Sequence, residues 1–176
     1  MFKKLIECFF CWKVRPRGDL RKAQVIVAQS FGCRENEPGI SNETMARLAW
    51  KIRQKLHLSM ILQWEIAEAL PEKSRDLWII ERHREEGKYL DTYEVLDQAK
   101  EIIKEQGWRT AVLIAHPWQI WRAMAVFKKM GIKIIIPNLD SIPFNPESTQ
   151  WWTRNMFLWI LREIPTRLLY LIKSWI

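Results

Sequence analysis

Five short apolar runs alternate along the chain with segments that have the spacing of helices. The runs cover residues 25–28, 60–62, 77–80, 111–115 and 134–136. Strands that are buried on both faces read as continuous apolar runs, and parallel strands need long connections that are usually helical. The pattern therefore predicts an α/β protein, a three-layer sandwich around a mainly parallel sheet of about five strands.

Segments with helical spacing fill the intervals between the runs. Ser41 is a suitable N-cap for the first of them, and Asp91 or Thr92 for the third. Pro165 is expected to separate two helices in the last part of the chain. The predicted helices cover residues 42–56, 65–70, 93–106, 117–130, 147–162 and 166–176.

A basic arm is predicted to precede a single domain. Residues 1–22 contain seven Lys or Arg and two Asp or Glu, a net charge of +5, and residues 2–13 have the pattern of a short amphipathic helix. We divide the chain into an N-terminal arm, 1–21, and one α/β domain, 22–176, which includes the helical segment 147–176. A chain of 176 residues is long enough to bury one sizeable core.

Composition narrows the expected partners. The net charge of the chain is +8, and eleven Trp are present, a residue favoured at interfaces and at membrane headgroups. Aromatic side chains beside Lys and Arg in residues 1–22 suit the surface of an anionic membrane. Nucleic acid is the rival partner for a basic arm, but the basic residues are not interleaved with a reading helix or a stacking platform.

The localisation of the protein is predicted from the absence of a membrane-spanning stretch and of a signal peptide in the sequence. We find no apolar stretch of about 20 residues that would span a bilayer, and no cleavage site of a signal peptide. Three Cys indicate a reducing compartment, and Cys8 and Cys11 lie in an apolar segment that favours palmitoylation or plain burial over a metal or redox role. We expect a cytoplasmic protein that lies peripherally at the inner face of the membrane.

Polar residues follow the apolar runs, and this locates a candidate site. Gln29 comes after the first run, and Gln63 and Glu65 after the second. Because ligands of open parallel sheets bind outside the carboxyl ends of the strands, we expect these side chains to meet in one crevice. Thr92 and Glu94 open a helix, as do Ser41 and Asn42, so these four are either ligand-binding groups or helix caps.

The segment after the fourth run carries the most suggestive chemistry. His116 follows the strand, and Gln119 and Arg122 share one face of the next helix. Arg122 would clamp a phosphate or carboxylate, and His116 would act as a general acid or base. The alternative is that His116 caps the helix and Arg122 pairs with a neighbouring acid.

Glu81 and His83 form a second catalytic candidate after the third run. Two residues apart on an extended backbone, they point to the same side, so the carboxylate could orient the imidazole as a base. The alternative is a solvated ion pair in a charged loop. The sequence lacks a glycine-rich phosphate loop, a nucleophile elbow and an H-E-x-x-H motif, and we predict no metal site.

Several of these segments resemble the SanA/ElyC/YdcF-like family, a domain of unknown function. The resemblance covers about residues 22–140: the opening strand 23–27, the helix entry 39–41 ahead of Arg47, the Thr-Tyr-Glu of 92–94, and the Trp-Gln-Ile-Trp-Arg-Ala of 118–123. Departures are also present. Val95 stands where the family has Asn, Gln119 where it has His, and Gln63-Trp64-Glu65 where it has Ser-Gly-Gly.

The resemblance implies a Rossmann-like fold and, for several members, a role in the bacterial envelope. It also implies a nucleotide-type ligand, with S-adenosylmethionine as one candidate cofactor. We therefore expect a protein that binds a small nucleotide- or phosphate-bearing anion and acts as a hydrolase or transferase. A non-catalytic S-adenosylmethionine or nucleotide module and a membrane-surface adaptor are the alternatives.

Overall fold

The protein has a five-stranded, all-parallel sheet at its centre. A computed structural model describes residues 10–72 and 74–176. The strands are β1 (Val25–Ala28), β2 (Ser59–Gln63), β3 (Leu77–Ile80), β4 (Thr110–Ile114) and β5 (Lys133–Ile135). Their order is β3-β2-β1-β4-β5, and every neighbouring pair is parallel. The α/β, Rossmann-like fold class predicted from the sequence is confirmed.

Five α-helices accompany the sheet. They are α1 (Ile40–Leu56), α2 (Trp64–Glu68), α3 (Thr92–Glu105), α4 (Ile120–Lys129) and α5 (Met156–Ile172), with 3-10 turns at Leu20–Lys22 and Trp151–Thr153. Helix α1 packs against α2, and α3 packs against α4. With right-handed crossovers, these two pairs cover opposite faces of the sheet. The apolar residues of β1 and β4 are fully buried between them, which explains why these strands lack alternation.

Helix α1 begins earlier than predicted. Gly39 is its N-cap and has φ 83°, a conformation that favours glycine, and Ser41 lies inside the first turn. The Ser41 hydroxyl donates to the carbonyl of Pro143 at 2.7 Å and therefore does not cap the helix. By contrast, Asp91 caps α3 as predicted, since its side chain accepts from the N–H of Glu94.

Pro165 lies inside a helix and does not separate two. Helix α5 runs through it from Met156 to Ile172, and Asn155 caps it by accepting from the N–H of Leu158. Pro165 is exposed, so water can solvate the carbonyl one turn earlier that loses its helical partner. The two predicted C-terminal helices are thus replaced by a 3-10 turn and one long helix.

The N-terminal arm joins the domain at both ends of its described part. Arg17 forms an antiparallel bridge with Ile136 next to the edge strand β5, and Arg167 donates to the carbonyl of Cys11 at 2.8 Å. Residues 11–16 have no regular secondary structure, and the rest of the predicted helix 2–13 lies almost wholly outside the described residues. Among the helices of the described residues, none has the length and apolarity needed to cross a membrane.

Candidate functional site

A cavity of about 90 Å³ lies at the carboxyl ends of β1 and β4. The connections from β1 lead outward through β2 to β3, and the chain then crosses back to place β4 on the other side of β1. This reversal is the topological switch point at which such sheets bind ligands. Five of the predicted site residues line the cavity: Gln29, Gln63, Thr92, Gln119 and Arg122.

The hydroxyl of Thr92 is the centre of the hydrogen-bond network in the cavity wall. Its oxygen lies 2.6 Å from Nε2 of Gln29, 3.1 Å from Nε2 of Gln119 and 2.7 Å from Nη1 of Arg122. A hydroxyl oxygen has two lone pairs, so the third donor exceeds its capacity. The Oε1 atoms of Gln29 and Gln119 are buried and have no hydrogen-bond partner among the described residues. Both oxygens are acceptors, so only a group of the ligand that donates a hydrogen bond, such as a hydroxyl, would satisfy them.

The buried carboxylate of Glu163 binds the guanidinium of Arg122. Its Nε lies 3.0 and 3.1 Å from the two oxygens of Glu163, and its Nη2 lies 3.0 Å from Oε2. Arg167 bonds the same carboxylate, with Nε 2.9 Å from Oε1. Burial alone would lower the pKa of Arg122, but the Glu163 carboxylate outweighs this and raises it. Arg122 therefore pairs with an acid, as the alternative for this residue expected, and it also lines the cavity.

The rim of the cavity is basic and aromatic. Arg162, on α5, lines it and lies over the ring of Trp152 with 5.7 Å to the centroid. The hydroxyl of Thr166 bonds the Arg162 guanidinium, and Tyr89 completes the rim. Asp91 and Thr92 place the first turn of α3, a helix of 14 residues, against the same space. The positive end of the helix dipole therefore adds to the two guanidinium groups.

Asn42 and Gly32 shape the loop that follows β1. The Asn42 side chain accepts from the N–H of Phe31 at 2.9 Å and donates to the carbonyls of Gly32 and Pro38. Gly32 has φ 69°, and a Cβ there would come within 2.3 Å of the Thr153 hydroxyl. Asn42 and Ser41 are thus scaffold groups of the loop, and neither lines the cavity.

His116 lies beneath the cavity and not on its surface. The imidazole is fully buried and stacks on Phe31 at a centroid distance of 3.7 Å, with Phe144 at 4.5 Å. Its Nδ1 accepts from the N–H of Trp118. Burial lowers the pKa of His116 to about 3, so the ring is neutral at physiological pH. This geometry favours packing and turn capping, the second of the two roles considered for His116.

The second catalytic candidate is not assembled. Glu81 is exposed and lines a different cavity beside β3, and His83 instead has Nε2 3.9 Å from Oε2 of Glu94. Glu94 itself is bound by Arg84 at 2.8 Å and by Gln98. Burial would raise the pKa of Glu94, but these hydrogen bonds outweigh it and lower the pKa to about 2. Glu94 and Arg84 form an ion pair outside the cavity, and the imidazole of His83 lies beside it.

Gln63 and Glu65 lie together at the end of β2. Gln63 accepts from the N–H of Ser30 at 3.0 Å and lines the cavity, and its Nε2 lies 3.5 Å from Oε1 of Glu65. Oε2 of Glu65 is buried without a partner among the described residues. Burial raises the pKa of Glu65 to about 7. The carboxyl is therefore poised to gain or lose a proton near neutrality, one layer behind the cavity wall.

The site residues predicted from the sequence include none from α5. Glu163, Thr166 and Tyr170 complete the cavity wall or hold Arg122, and they come more than 40 residues after the last strand-end motif used to locate the site. Their spacing of three or four residues on one helix was the available signal, since a buried acid and a Thr recur on the same face. In the described part of the chain, no cluster of three His, Cys, Asp or Glu could hold a metal ion.

Comparisons with models of protein families, with curated proteins and with solved structures found no match. The site is therefore interpreted from its own geometry.

Proposed function

We propose that this protein binds a small anionic ligand, one that carries a phosphate or carboxylate group, in the cavity at the ends of β1 and β4. The observation that carries the proposal is the excess of donors around Thr92. Gln29, Gln119 and Arg122 all point N–H groups at one hydroxyl oxygen. An anionic oxygen in the cavity would accept the donors that this hydroxyl cannot.

The charge around the cavity supports the same ligand class. Among the residues that line the cavity, Arg122 and Arg162 carry two positive charges and Asp91 carries one negative charge, which leaves a net charge of +1. The first turn of α3 contributes the positive end of its dipole. A singly charged phosphate or a carboxylate would balance this charge.

The size of the cavity limits what enters it. The cavity volume of 90 Å³ is small beside the roughly 300–1,000 Å³ of pockets that enclose a drug-sized ligand. A phosphate or carboxylate group fits, and the remainder of a larger molecule would lie on the rim against Tyr89 and Trp152. Aromatic rings suit a base or a sugar. A nucleotide, a nucleotide sugar and the carboxylate of S-adenosylmethionine all meet this description.

The resemblance to the SanA/ElyC/YdcF-like family supports a ligand of this class. It adds the proposal that the ligand belongs to bacterial envelope metabolism. The Arg of the resembling stretch is Arg122 and the Thr is Thr92, and these two are in direct hydrogen-bond contact at 2.7 Å. Gln119, which stands in place of the family's His, is the third member of that contact group. An amide there binds but does not titrate, which favours binding over acid–base work at this position.

A second candidate function is hydrolysis or group transfer at the bound phosphate. It is favoured by Glu65, whose burial raises its pKa to about 7 beside cavity residue Gln63. A carboxyl with that pKa is suited to accept or donate a proton at neutral pH. In this case Glu65→Gln would abolish turnover and leave ligand affinity close to that of the wild type.

Thermal shift and calorimetry test the binding proposal. The panel is inorganic phosphate, nucleotides, nucleotide sugars and S-adenosylmethionine, applied to wild type, Arg162→Gln and the matched control Arg47→Gln. Arg47 is exposed on α1, so its variant removes the same charge far from the cavity. A ligand at 100 times its Kd stabilises by about 2.7 kcal/mol, which Arg162→Gln should reduce and Arg47→Gln should not. A response that is equal in both variants, or absent across the panel, contradicts the proposal.

A further inference from the structure

Helix α5 exposes a row of large apolar side chains along its outer face. Phe157, Leu161, Leu168 and Ile172 are 72%, 66%, 41% and 81% exposed. Their spacing of four, seven and four residues places them on one side of a helix about 25 Å long. Scattered apolar residues on a surface need no explanation, but a continuous row of this size marks a surface that meets an apolar partner.

The exposed charged groups of α5 and its C-cap are positive. The one acidic residue of α5, Glu163, is fully buried, and the exposed charged groups next to the row are Arg162 and Lys173. On the opposite flank a groove of about 320 Å³ runs between α4 and α5, and Lys128 and Lys129 stand in its wall. The remaining lining is Trp121, Met124, Ala125, Leu171 and Ile176.

The N-terminal arm approaches the same helix. The guanidinium of Arg167 lies over the ring of Trp12 at 4.5 Å, and it donates to the carbonyl of Cys11. The described arm residues beside this contact, Phe10 and Lys13, are exposed. The arm thus adds an aromatic and a basic side chain close to α5.

We propose that the outer face of α5 lies on an anionic lipid bilayer. The apolar row would enter the acyl boundary, while Lys173 on one flank and Lys128 and Lys129 on the other reach the lipid phosphates. An anionic membrane is the partner that accepts an apolar centre and a basic border together. Arg162 and Leu169 also line the cavity, so that the cavity opens beside the membrane surface.

A second copy of the chain fits this face less well. In a symmetric dimer the face would meet itself and bring basic flanks together. Helix α5 has no exposed acid to pair with them, and like charges at an interface cost affinity. The charge pattern therefore favours lipid over self-association.

Vesicle sedimentation of the full chain tests the proposal. The vesicles contain either phosphatidylcholine alone or phosphatidylcholine with phosphatidylglycerol in equal parts. The double variant Leu161→Gln/Ile172→Gln removes two apolar contacts, and the matched control Ile40→Gln/Ile79→Gln changes two exposed apolar residues elsewhere. We expect the wild type to bind the anionic vesicles, the α5 variant to bind them at least about tenfold more weakly, and the control to be unchanged.

The charged flank is tested separately with Lys128→Gln/Lys129→Gln. It should weaken binding to the anionic vesicles by about tenfold at low salt, with little effect at high salt. Circular dichroism melts establish whether each variant is folded. We expect each variant to fold because the substituted residues are exposed. Ligand-induced thermal shifts at the cavity should be the same in the Lys128→Gln/Lys129→Gln variant as in the wild type. Failure of the lipid-binding proposal is therefore distinguishable from failure of the ligand-binding proposal.

Three results would overturn the inference. The first is that the wild type fails to sediment with anionic vesicles. The second is that the Leu161→Gln/Ile172→Gln variant sediments as the wild type does, which would assign binding to another segment. Alternatively, sedimentation equilibrium finds a dimer that Leu161→Gln/Ile172→Gln dissociates, which would assign the face to a second copy.

Discussion

Glu163 holds Arg122 through both carboxylate oxygens, at 3.0 and 3.1 Å from Nε, although 41 residues separate the two. Arg122 stands at the start of α4 beside the sheet, and Glu163 reaches it from α5. Since both side chains are buried, neither can exchange its partner for water. The position of the guanidinium in the cavity wall is therefore set by a helix that lies outside the sheet sandwich.

Glu163→Gln should destabilise the protein severely. Removing one partner of a buried ion pair leaves an uncompensated charge and costs about 3–5 kcal/mol. The matched control is Glu101→Gln, because Glu101 pairs with Arg84 while 54% of its side chain is exposed. That change should cost less than about 1 kcal/mol. Urea unfolding of both variants measures the difference, and equal midpoints would contradict the structural role of Glu163.

His116 should make stability fall in mild acid. The unfolded imidazole takes up a proton near pH 6.5, but the buried ring does so only near its folded pKa of about 3. The unfolded state therefore binds more protons between these values, and the free energy of unfolding falls as pH falls through this window. The contribution is about 2 kcal/mol between pH 6.5 and 4.5. His116→Asn, which keeps an acceptor for the N–H of Trp118, should lack it when urea melts are compared across pH.

Glu65 should act in the opposite direction. Burial raises its folded pKa from 4.5 to about 7, so its protonation contributes stability that is full below pH 4.5 and lost as pH rises through 7. Glu65→Gln resembles the protonated form and should stabilise the protein by about 2 kcal/mol or more at pH 8, with no gain near pH 4.5. Thermal melts at the two pH values measure this. Glu68→Gln, an exposed change on the same helix, should show no such dependence.

Gly32→Ala should destabilise the protein more than Gly131→Ala does. Its Cβ would lie 2.3 Å from the Thr153 hydroxyl and 2.6 Å from that of Ser148, in addition to the cost of φ 69°. Gly131 has φ 81° but open space around its Cβ position, so Gly131→Ala pays only the conformational cost of about 1–2 kcal/mol. We expect Gly32→Ala to lose at least twice as much stability in urea unfolding. Equal losses of stability in the two variants would mean that the loop after β1 shifts to accommodate the Cβ at no cost in free energy.

The sheet was predictable because its signal is local. The runs at 25–28, 77–80 and 111–115 became strands with nearly the predicted bounds, since continuous apolar stretches bounded by turns have few other uses. Asp91 was predictable as a cap for the same reason. The prediction for Pro165 was wrong because the free-energy cost of a proline inside a helix depends on its surroundings. The carbonyl one turn earlier loses its helical partner, and the cost is lower where water can solvate that carbonyl, as in this exposed turn.

The site was only partly predictable. Strand ends located Gln29, Gln63 and Gln119 because the carboxyl ends of parallel strands meet at one edge. His116 follows the same rule in sequence, yet its side chain turns into the packing between Phe31 and Phe144. Spacing along a strand does not fix whether a residue beyond its end faces the cavity or the core. The spacing of Glu163, Thr166 and Tyr170 indicates one helix face, but that Glu163 meets Arg122 depends on a packing contact between distant helices.

The pairing of β1 with β4 affects how fast the cavity can form. Gln24 and Thr110, whose contact extends that pairing, are 86 positions apart, and every neighbouring pair in the sheet is parallel, so no hairpin can nucleate it. Such non-local contacts raise the contact order and slow folding, because loop closure is costly before the strands meet. In a nascent chain β1, β2 and β3 emerge before β4, so at that stage the edge of β1 has no β4 to pair with. During that stage the unpaired edge is open to other chains, and refolding at high protein concentration will compete with aggregation.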